Sequence, residues 1–369
     1  MGLLQGVAER PGSTPPQKFD SKTVAWIIET GLGPILWAAY RQQPDSVPPA
    51  CHDPLRAADL TALFLSTAMF DALGTILDGA ATLGCAVTLV KGASVAGQWY
   101  PEPHWRPMRD IDLLVDAREQ SRFEQLLRDL GFQQQSWLPE AFFLDHHHSM
   151  PFYHPQWRCW VEVHRGLFRD DRPERRIAAL RPEALAARRQ ACTVRGASAW
   201  RLADPEQLVY TAVHWGGRLT LVGGLVPLLD MLLMLRRGGE QLDWDAVLDI
   251  AADEAAARPL FVALDYLRKQ GLIELPAAVW RGLARGHDGI GRGGVRMLHG
   301  IIDDFMVCGK RQRGLNSEAL VNMRWETLLG EGPVWRKRRD IYWRTLFPLA
   351  ENGRYSPRRQ LQRLRNQWR

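Results

Sequence analysis

The chain has 369 residues, 46% hydrophobic and 24% charged, which is typical of a globular protein and long enough for two domains. Its net charge of +6 is uneven, because residues 335–369 hold eleven Lys or Arg against two acidic residues and the remainder is slightly acidic. No run of 18 or more apolar residues occurs, so we expect no transmembrane helix, and five cysteines without a CxxC pair suggest neither disulfides nor a zinc site and favour a reducing cytoplasm.

The N-terminal part of the chain predicts a mobile segment that leads into a short helix. Residues 1–20 are rich in Pro, Gly and Ser and lack the basic and apolar regions of a secretory signal, so we expect no such signal. An amphipathic stretch follows at 21–40, ahead of a Pro-rich loop. A long helix is predicted at 55–83, because its apolar residues recur every three or four positions and Gly84 can end it.

Strands and helices alternate between residues 86 and 170. Apolar runs predict strands at 86–90, 111–115, 132–138, 149–154 and 158–165. After Arg169 helical patterns prevail, interrupted by one predicted strand pair at 192–202. The chain is therefore predicted to be α+β. Its predicted parts are a mobile N-terminus with a short helix at 1–54, a small mixed-sheet α/β core with its leading helix at 55–170, a mostly helical region at 171–334 and a basic helical tail at 335–369.

The predicted strand at 111–115 begins beside two carboxylates that share one face. Asp110 and Asp112 are two residues apart, which places both side chains on the same side of a strand. Neighbouring carboxylates repel each other, so the pair favours a bound cation, and Mg²⁺ binds through carboxylates and substrate phosphates. Glu162, on the later strand CWVEVHRGL, would add a third carboxylate if the two strands are neighbours. The pattern predicts a metal-dependent phosphoryl- or nucleotidyl-transfer site, although Asp-x-Asp alone is also common on protein surfaces.

Basic residues near the carboxylates suggest a place for phosphates. Lys91 and Gly92 form a turn from a strand into a helix, where free N–H groups and the helix dipole attract anions. Lys91 could contact a phosphate or pair with a carboxylate, and an ordinary turn with an exposed lysine has the same pattern. Arg106 and Arg109 precede the acids and could either bind a phosphate with two hydrogen bonds or balance the charge of the Asp pair.

Histidines provide accessory candidates. His164 shares a strand face with Glu162 and could bind metal, act as a general base or orient that carboxylate, and a buried structural histidine is the alternative. His214 and Asp230 lie on predicted helices of the 171–334 region and could face the site. The three consecutive histidines at 146–148 are predicted to be a polar loop, because consecutive side chains on a regular element cannot all point to one centre.

A resemblance to a known family is carried by the stretch LVKGASVAGQWYPEPHWRPMRDIDLLV, at 89–115. It resembles the Lys-Gly, Arg and Asp-x-Asp signature of an uncharacterised bacterial nucleotidyltransferase family, which is related to the DNA polymerase β-like nucleotidyltransferase superfamily. Later segments similar to that family are CWVEVHRGL, DPEQLVYTAVHWGGR, LVPLLDMLLML and LFPLAENGRYSPRRQLQRLRNQW. At the turn the wider superfamily has Gly-Ser, whereas this chain has Lys-Gly.

The resemblance implies a site and an activity. Mg²⁺, with Mn²⁺ as an alternative, would be held by three carboxylates, namely Asp110, Asp112 and Glu162. Those carboxylates would also be the catalytic residues, and the residues at the nucleotide phosphates would be Lys91, Gly92 and Arg109. The implied enzyme moves a nucleotidyl group from an NTP to a hydroxyl or phosphate of a small molecule, peptide or protein.

Two other functions stay open at this point. One is a tailoring enzyme that acts on a ribosomal peptide with a nucleotide-sugar donor, and the other is a non-catalytic nucleotide-binding or interaction module. Nucleic acid is a less favoured substrate, because the basic residues concentrate at 335–369, far in sequence from the acids. The same tail could make a peripheral contact with an anionic membrane surface.

Overall fold

Seven strands form one mixed sheet in this computed structural model, which describes residues 18–41, 44–136, 138–144, 146–217, 219, 224–239, 241–309 and 317–330. The strands are β1 (Thr88–Leu89), β2 (Asp110–Leu114), β3 (Gln133–Gln134), β4 (Phe152–His154), β5 (Cys159–His164), β6 (Gln190–Val194) and β7 (Ala197–Arg201). They lie in the order β3-β4-β5-β2-β1-β7-β6. β2 pairs with β5 and β1 pairs with β7 in parallel, and the other neighbouring pairs are antiparallel.

Helices surround the sheet and make up most of the chain after β7. The described α-helices are α1 (Ser21–Glu29), α2 (Gly33–Tyr40), α3 (His52–Leu83), α4 (Lys91–Trp99), α5 (Gln120–Asp129), α6 (Ala141–Leu144), α7 (Pro182–Arg188), α8 (Asp204–Gly217), α9 (Val226–Gly238), α10 (Trp244–Ile250), α11 (Glu254–Lys269), α12 (Ala277–Gly282), α13 (Ala284–Ile301) and α14 (Ser317–Leu329). A π-helical turn (Ile302–Val307) continues α13.

The two faces of the sheet contact different layers. On one face, Ile111 and Leu113 of β2 and Val161 of β5 belong to a core shared with α3 and α5. The opposite face carries Asp112, because side chains alternate along a strand, and it lies toward the second core, which the helices after β7 dominate. The carboxylates therefore lie between the sheet and the helical layer.

The long helix α3 supports the first of these faces. Its buried residues include Leu73, Ile76 and Leu77, and it ends at Gly84, whose φ of 69° is the left-handed conformation that glycine adopts without strain. The stretch Pro49–Leu83 is long and apolar enough to cross a membrane, with a mean hydropathy of 1.6, and it is the one such helix among the described residues. From Met69 to Ala80 the helix packs against the sheet core, whereas the large apolar side chains of Leu60, Leu63 and Phe64 in its first half are exposed.

The α+β prediction is confirmed, and the sheet extends further along the chain than the composition indicated. Thr88 and Leu89 of β1 pair with Trp200 and Arg201 of β7, so the strand pair predicted at 192–202 joins the main sheet. The sheet consequently does not end at the predicted boundary near residue 170. A strand pair separated from its partner by about a hundred residues shows no local signal of that pairing.

Other predicted segments differ from the structure in extent or lie outside the described residues. The strand predicted at 132–138 is reduced to β3, at the edge of the sheet. In the region after Arg169, where helical patterns prevail, the chain first forms short 3₁₀ turns and then α7, because Pro182 disfavours helical geometry in the residue before it. The basic tail predicted at 335–369 and the N-terminal residues before 18 lie outside the described residues.

Candidate active site

Two parallel strands bring the predicted carboxylates together. In the register of β2 and β5, Asp112 lies directly beside Glu162, and Asp110 lies beside Trp160, two residues earlier on the same face. The intervening Ile111 points into the opposite core. The neighbouring strands that the sequence argument required are therefore present.

Lys91 and His164 both contact the central carboxylate. Lys91 Nζ donates to Asp112 Oδ1 at 2.6 Å and lies 3.8 Å from Glu162 Oε2. His164 Nε2 lies 2.8 Å from the same Asp112 oxygen and 3.5 Å from Glu162 Oε2. Both Asp112 and His164 are buried, so these contacts are shielded from water. Within the protein itself, the Lys91 ammonium supplies positive charge beside the paired carboxylates.

The backbone of Lys91 adopts a conformation that is rare for a residue with a side chain. Its φ is 49°, at the first residue of α4, where a left-handed conformation costs a non-glycine residue of the order of 1–3 kcal/mol. The ion pair with Asp112 offsets part of that cost. The residue that occupies this strained turn is therefore the one that contacts the carboxylates.

The carboxylates differ in their readiness to ionise. Burial alone would raise the pKa of Asp112, but the charge of Lys91 and the hydrogen bond from His164 hold that pKa well below its ordinary value. For Asp110, burial and the charge of Asp112 raise the pKa to about 7, against the opposing effect of Lys91. Asp110 is thus the carboxylate that lacks a sufficient cationic partner.

These groups fit a divalent cation. Asp112, Glu162 and His164 each offer a ligand atom, and the three atoms lie within 4.8 Å of one another. Asp110 adds a further oxygen on the same face of β2, two residues from Asp112. Carboxylate oxygens are the ligands that hard cations such as Mg²⁺ prefer.

Arg106 and Asp230 form a buried bridge between the sheet side and the helical layer. Arg106 Nη2 donates to Asp230 Oδ2 at 2.8 Å, its Nε donates to Oδ1 at 3.0 Å, and the Tyr100 hydroxyl donates to Oδ1 at 2.7 Å. A Cβ at Gly92 would lie 2.5 Å from Arg106 Nη1 and 2.9 Å from the Met108 sulfur. A side chain at position 92 would therefore displace this guanidinium.

The helical layer supplies an aromatic wall. Tyr210 of α8 is buried with its hydroxyl unpartnered among the described residues, and burial raises the pKa of that hydroxyl, with Lys91 and Asp112 among the charges that act on it. His214 lies one helical turn further, its ring 5.8 Å from that of Tyr210. Its side chain reaches water, yet surrounding protein and the charge of Lys91 lower the pKa of His214 to about 4.

The structure thus gathers most of the predicted site residues and separates a few. Asp110, Asp112, Glu162, Lys91 and His164 meet, and His214 lies on the facing helix. Asp230 joins Arg106, and Arg109 is exposed and makes no hydrogen bond or ion pair with any described residue. The sequence did not predict a role for Tyr100 or Tyr210, because a tyrosine in an apolar pattern gives no sign that its hydroxyl faces a polar centre.

The carboxylates do not line the described cavities. One cavity of about 610 Å³ lies between α3, α4 and the β6–β7 pair, where Phe70, Ser94 and Arg195 are among its lining residues. None of Asp110, Asp112 and Glu162 is among the described residues that line this cavity or the other three, of about 460 to 680 Å³. The candidate site is therefore defined by the carboxylates and their partners.

The three histidines at 146–148 lie in a loop, as the sequence predicted. The chain bends at His146 and His147, and His148 then forms a bridge with His164 of β5. Because the segment is not a regular element, the three side chains can converge, and one ring nitrogen from each of them lies within 4.8 Å of the others. The sequence did not predict this convergence.

Comparison with known proteins places the chain among nucleotidyltransferases. A family model described as "Uncharacterised nucleotidyltransferase" matches residues 18–270. A search of curated proteins finds no match. One similar solved structure is the antibiotic-resistance factor ANT(2'')-Ia, with 13% identity, 56% of this chain and 99% of that chain covered, and a TM-score of 0.36. Another is an antigenic nucleotidyltransferase-like protein from Paracoccidioides brasiliensis, with 14% identity, 60% and 94% coverage, and a TM-score of 0.36.

Proposed function

The chain belongs to the uncharacterised nucleotidyltransferase family, whose model spans residues 18–270, and on this premise we propose a Mg²⁺-dependent transfer of a nucleotidyl group from an NTP to a hydroxyl or phosphate of a small molecule, peptide or protein. The observation that carries the proposal is the pairing of Asp112 with Glu162 on adjacent parallel strands, with Asp110 on the same face. Three neighbouring carboxylates are stable only when cations neutralise their charge. The proposed reaction uses a metal ion that such carboxylates can hold together with a polyphosphate.

The carboxylates would hold the metal and handle a proton. Asp110, Asp112 and Glu162 would bind Mg²⁺, or Mn²⁺ in its place, and the bound metal supplies charge neutralisation at the triphosphate and at the departing pyrophosphate. The acceptor oxygen forms a bond to the α-phosphorus while the bond from that phosphorus to the bridging oxygen breaks. The proton of an acceptor hydroxyl passes to Glu162 or Asp110, and pyrophosphate leaves with the electron pair.

Lys91 would contact the nucleotide. Its ammonium lies 2.6 Å from Asp112 Oδ1 and 3.8 Å from Glu162 Oε2, beside the carboxylates, and would donate to a phosphate oxygen of the bound NTP. Gly92 begins α4 beside it, where main-chain N–H groups can add to the anion site. The exposed guanidinium of Arg109 is free to reach a phosphate from outside.

The acceptor would lie toward the helical layer. Tyr210 and His214 of α8 face the carboxylates from that side, and the Arg106–Asp230 bridge fixes α9 against the sheet side. We also propose the cytoplasm as the place of action, which the five free cysteines support. The proposed peripheral contact through the basic tail concerns residues outside the described part of the chain.

A mass shift on the acceptor tests this proposal. Candidate small molecules and peptides are incubated with the full chain, Mg²⁺ and each of four NTPs, and products are read by mass spectrometry. We expect a Mg²⁺-dependent gain of one nucleoside monophosphate, lost in Asp112→Asn and kept in Asp116→Asn, whose exposed carboxylate pairs with Arg118. A gain of a sugar from a nucleotide sugar, or equal transfer by Asp112→Asn, would overturn it.

A further inference from the structure

We propose that His146, His147 and His148 form a binding site for a borderline transition-metal ion such as Zn²⁺, separate from the magnesium carboxylates. The ring centroid of His146 lies 4.4 Å from that of His147 and 4.2 Å from that of His148, and the ring centroids of His147 and His148 are 4.9 Å apart. Imidazole nitrogen is a preferred ligand of Zn²⁺ and a poor one for Mg²⁺.

His148 is already oriented as a metal ligand would be. Its Nδ1 donates to the Ser149 carbonyl oxygen at 2.7 Å, which leaves Nε2 as the ring nitrogen with a lone pair. Metal-binding histidines commonly donate their second nitrogen to a backbone carbonyl in this way. This Nε2 is therefore free to bind a metal ion, and it lies 3.8 Å from Glu162 Oε2, where the histidine cluster borders the carboxylates.

The other two histidines have buried nitrogens without partners. Nδ1 of His146 and Nδ1 of His147 make no hydrogen bond within the described residues. The ring of Phe142 lies 5.1 Å from that of His146, and the ring of Phe143 lies 5.9 Å from that of His148, so aromatic side chains cover one side of the cluster. Buried polar atoms without a partner are rare in folded proteins, and a bound ion accounts for them.

The geometry of the cluster favours a metal ion, because one ring nitrogen from each of the three histidines can approach a common centre. The ligand nitrogens, within 4.8 Å of one another, must approach to about 3.4 Å around a tetrahedral zinc, which rotation of the rings about their side-chain bonds can supply.

Metal binding can be measured without any assay of activity. The full chain, produced without a polyhistidine tag and stripped of metal, is titrated with Zn²⁺ and with Co²⁺ in excess Mg²⁺. We expect one tight equivalent per chain and the visible absorption of tetrahedral Co²⁺. His147→Asn should weaken the binding of Zn²⁺ by about 100-fold or more, while Asp112→Asn and the control His287→Asn should keep it.

Two results would overturn the proposal. One is Zn²⁺ binding that is equal in the wild-type chain and in His147→Asn. The other is Zn²⁺ binding that is lost in Asp112→Asn but retained in His147→Asn, because that result places the ion at the carboxylates. If His147→Asn fails to fold, X-ray absorption of the zinc-loaded wild-type chain decides. Three imidazoles around the zinc support the histidine site, whereas a single imidazole indicates the set of Asp112, Glu162 and His164.

Discussion

Replacing Asp110 with Asn should stabilise the metal-free protein while it removes activity. Burial and the charge of Asp112 raise the pKa of Asp110 from 3.8 to about 7, so its ionised form is disfavoured in the folded state. Because one pKa unit corresponds to about 1.4 kcal/mol, the ionised carboxylate costs about 4 kcal/mol at most, and relaxation and water around the site can lower this cost to about 1 kcal/mol. An amide of the same shape avoids that cost.

The effect depends on pH in a defined direction. Since the folded-state pKa of Asp110 is raised, its protonated form contributes stability below pH 3.8, and that contribution is lost as the pH rises to about 7. The difference in unfolding free energy between Asp110→Asn and the wild-type chain should therefore be near zero at pH 4 and reach its full value above pH 7.

Thermal unfolding in EDTA at pH 5 and pH 8 measures this difference. We expect Asp110→Asn to melt about 2–8 °C above the wild-type chain at pH 8, and much closer to it at pH 5. Added Mg²⁺ should raise the melting temperature of the wild-type chain and leave that of the variant nearly unchanged. A variant that is less stable than the wild-type chain at pH 8, or equally shifted at both pH values, would refute the reasoning.

Three further substitutions test the neighbours of the carboxylates. Asp230→Asn leaves the buried guanidinium of Arg106 without its carboxylate, and should lower the unfolding free energy, measured in urea, by about 3–5 kcal/mol. Gly92→Ala places a Cβ 2.5 Å from Arg106 Nη1, and should lower both the melting temperature and the affinity for NTP in calorimetry. Lys91→Met removes the main cation beside Asp112 and should cost about 2–3 kcal/mol at pH 7. Since the pKa of Asp112 is depressed, that cost should shrink below pH 3.8 in acid unfolding.

A substitution at the protein surface serves as the control for these experiments. Asp116 pairs with Arg118 at an exposed position after β2, so Asp116→Asn should leave the unfolding free energy nearly unchanged. If Asp230→Asn costs no more than Asp116→Asn, the bridge to Arg106 does not stabilise the fold as described. An unaltered acid transition in Lys91→Met would contradict the role assigned to that ammonium.

The centre of the site was predictable because strand periodicity is strict. Residues 110 and 112 had to share a face of β2, and the apolar frame of CWVEVHRGL predicted a second strand that carries Glu162. The helix α3 and its end at Gly84 followed from apolar spacing and a glycine after the last turn. These features depend on neighbours close in sequence, and such patterns can be read directly.

The remaining features depend on contacts between distant residues or on backbone conformations that have no residue signature. The bond from Arg106 to Asp230 spans 124 positions, and the pairing of β1 with β7 spans a comparable distance. The positive φ of Lys91 falls on a residue type that rarely adopts it, so the sequence predicted a turn and a lysine that could pair with a carboxylate, but not the backbone conformation that the residue adopts there. The loop at His146 and His147 was predicted, but the bend that brings the three rings together has no residue signature.

The binding of an NTP in the presence and absence of Mg²⁺ tests the central claim most directly. Isothermal titration calorimetry of the full chain compares wild type, Asp112→Asn and Asp116→Asn with each of the four NTPs. We predict that at least one NTP binds the wild-type chain and Asp116→Asn only with Mg²⁺, and that Asp112→Asn weakens this binding by about 100-fold or more. Equal binding by all three proteins, or no Mg²⁺-dependent binding of any NTP to the wild-type chain, would contradict the assignment of the carboxylates.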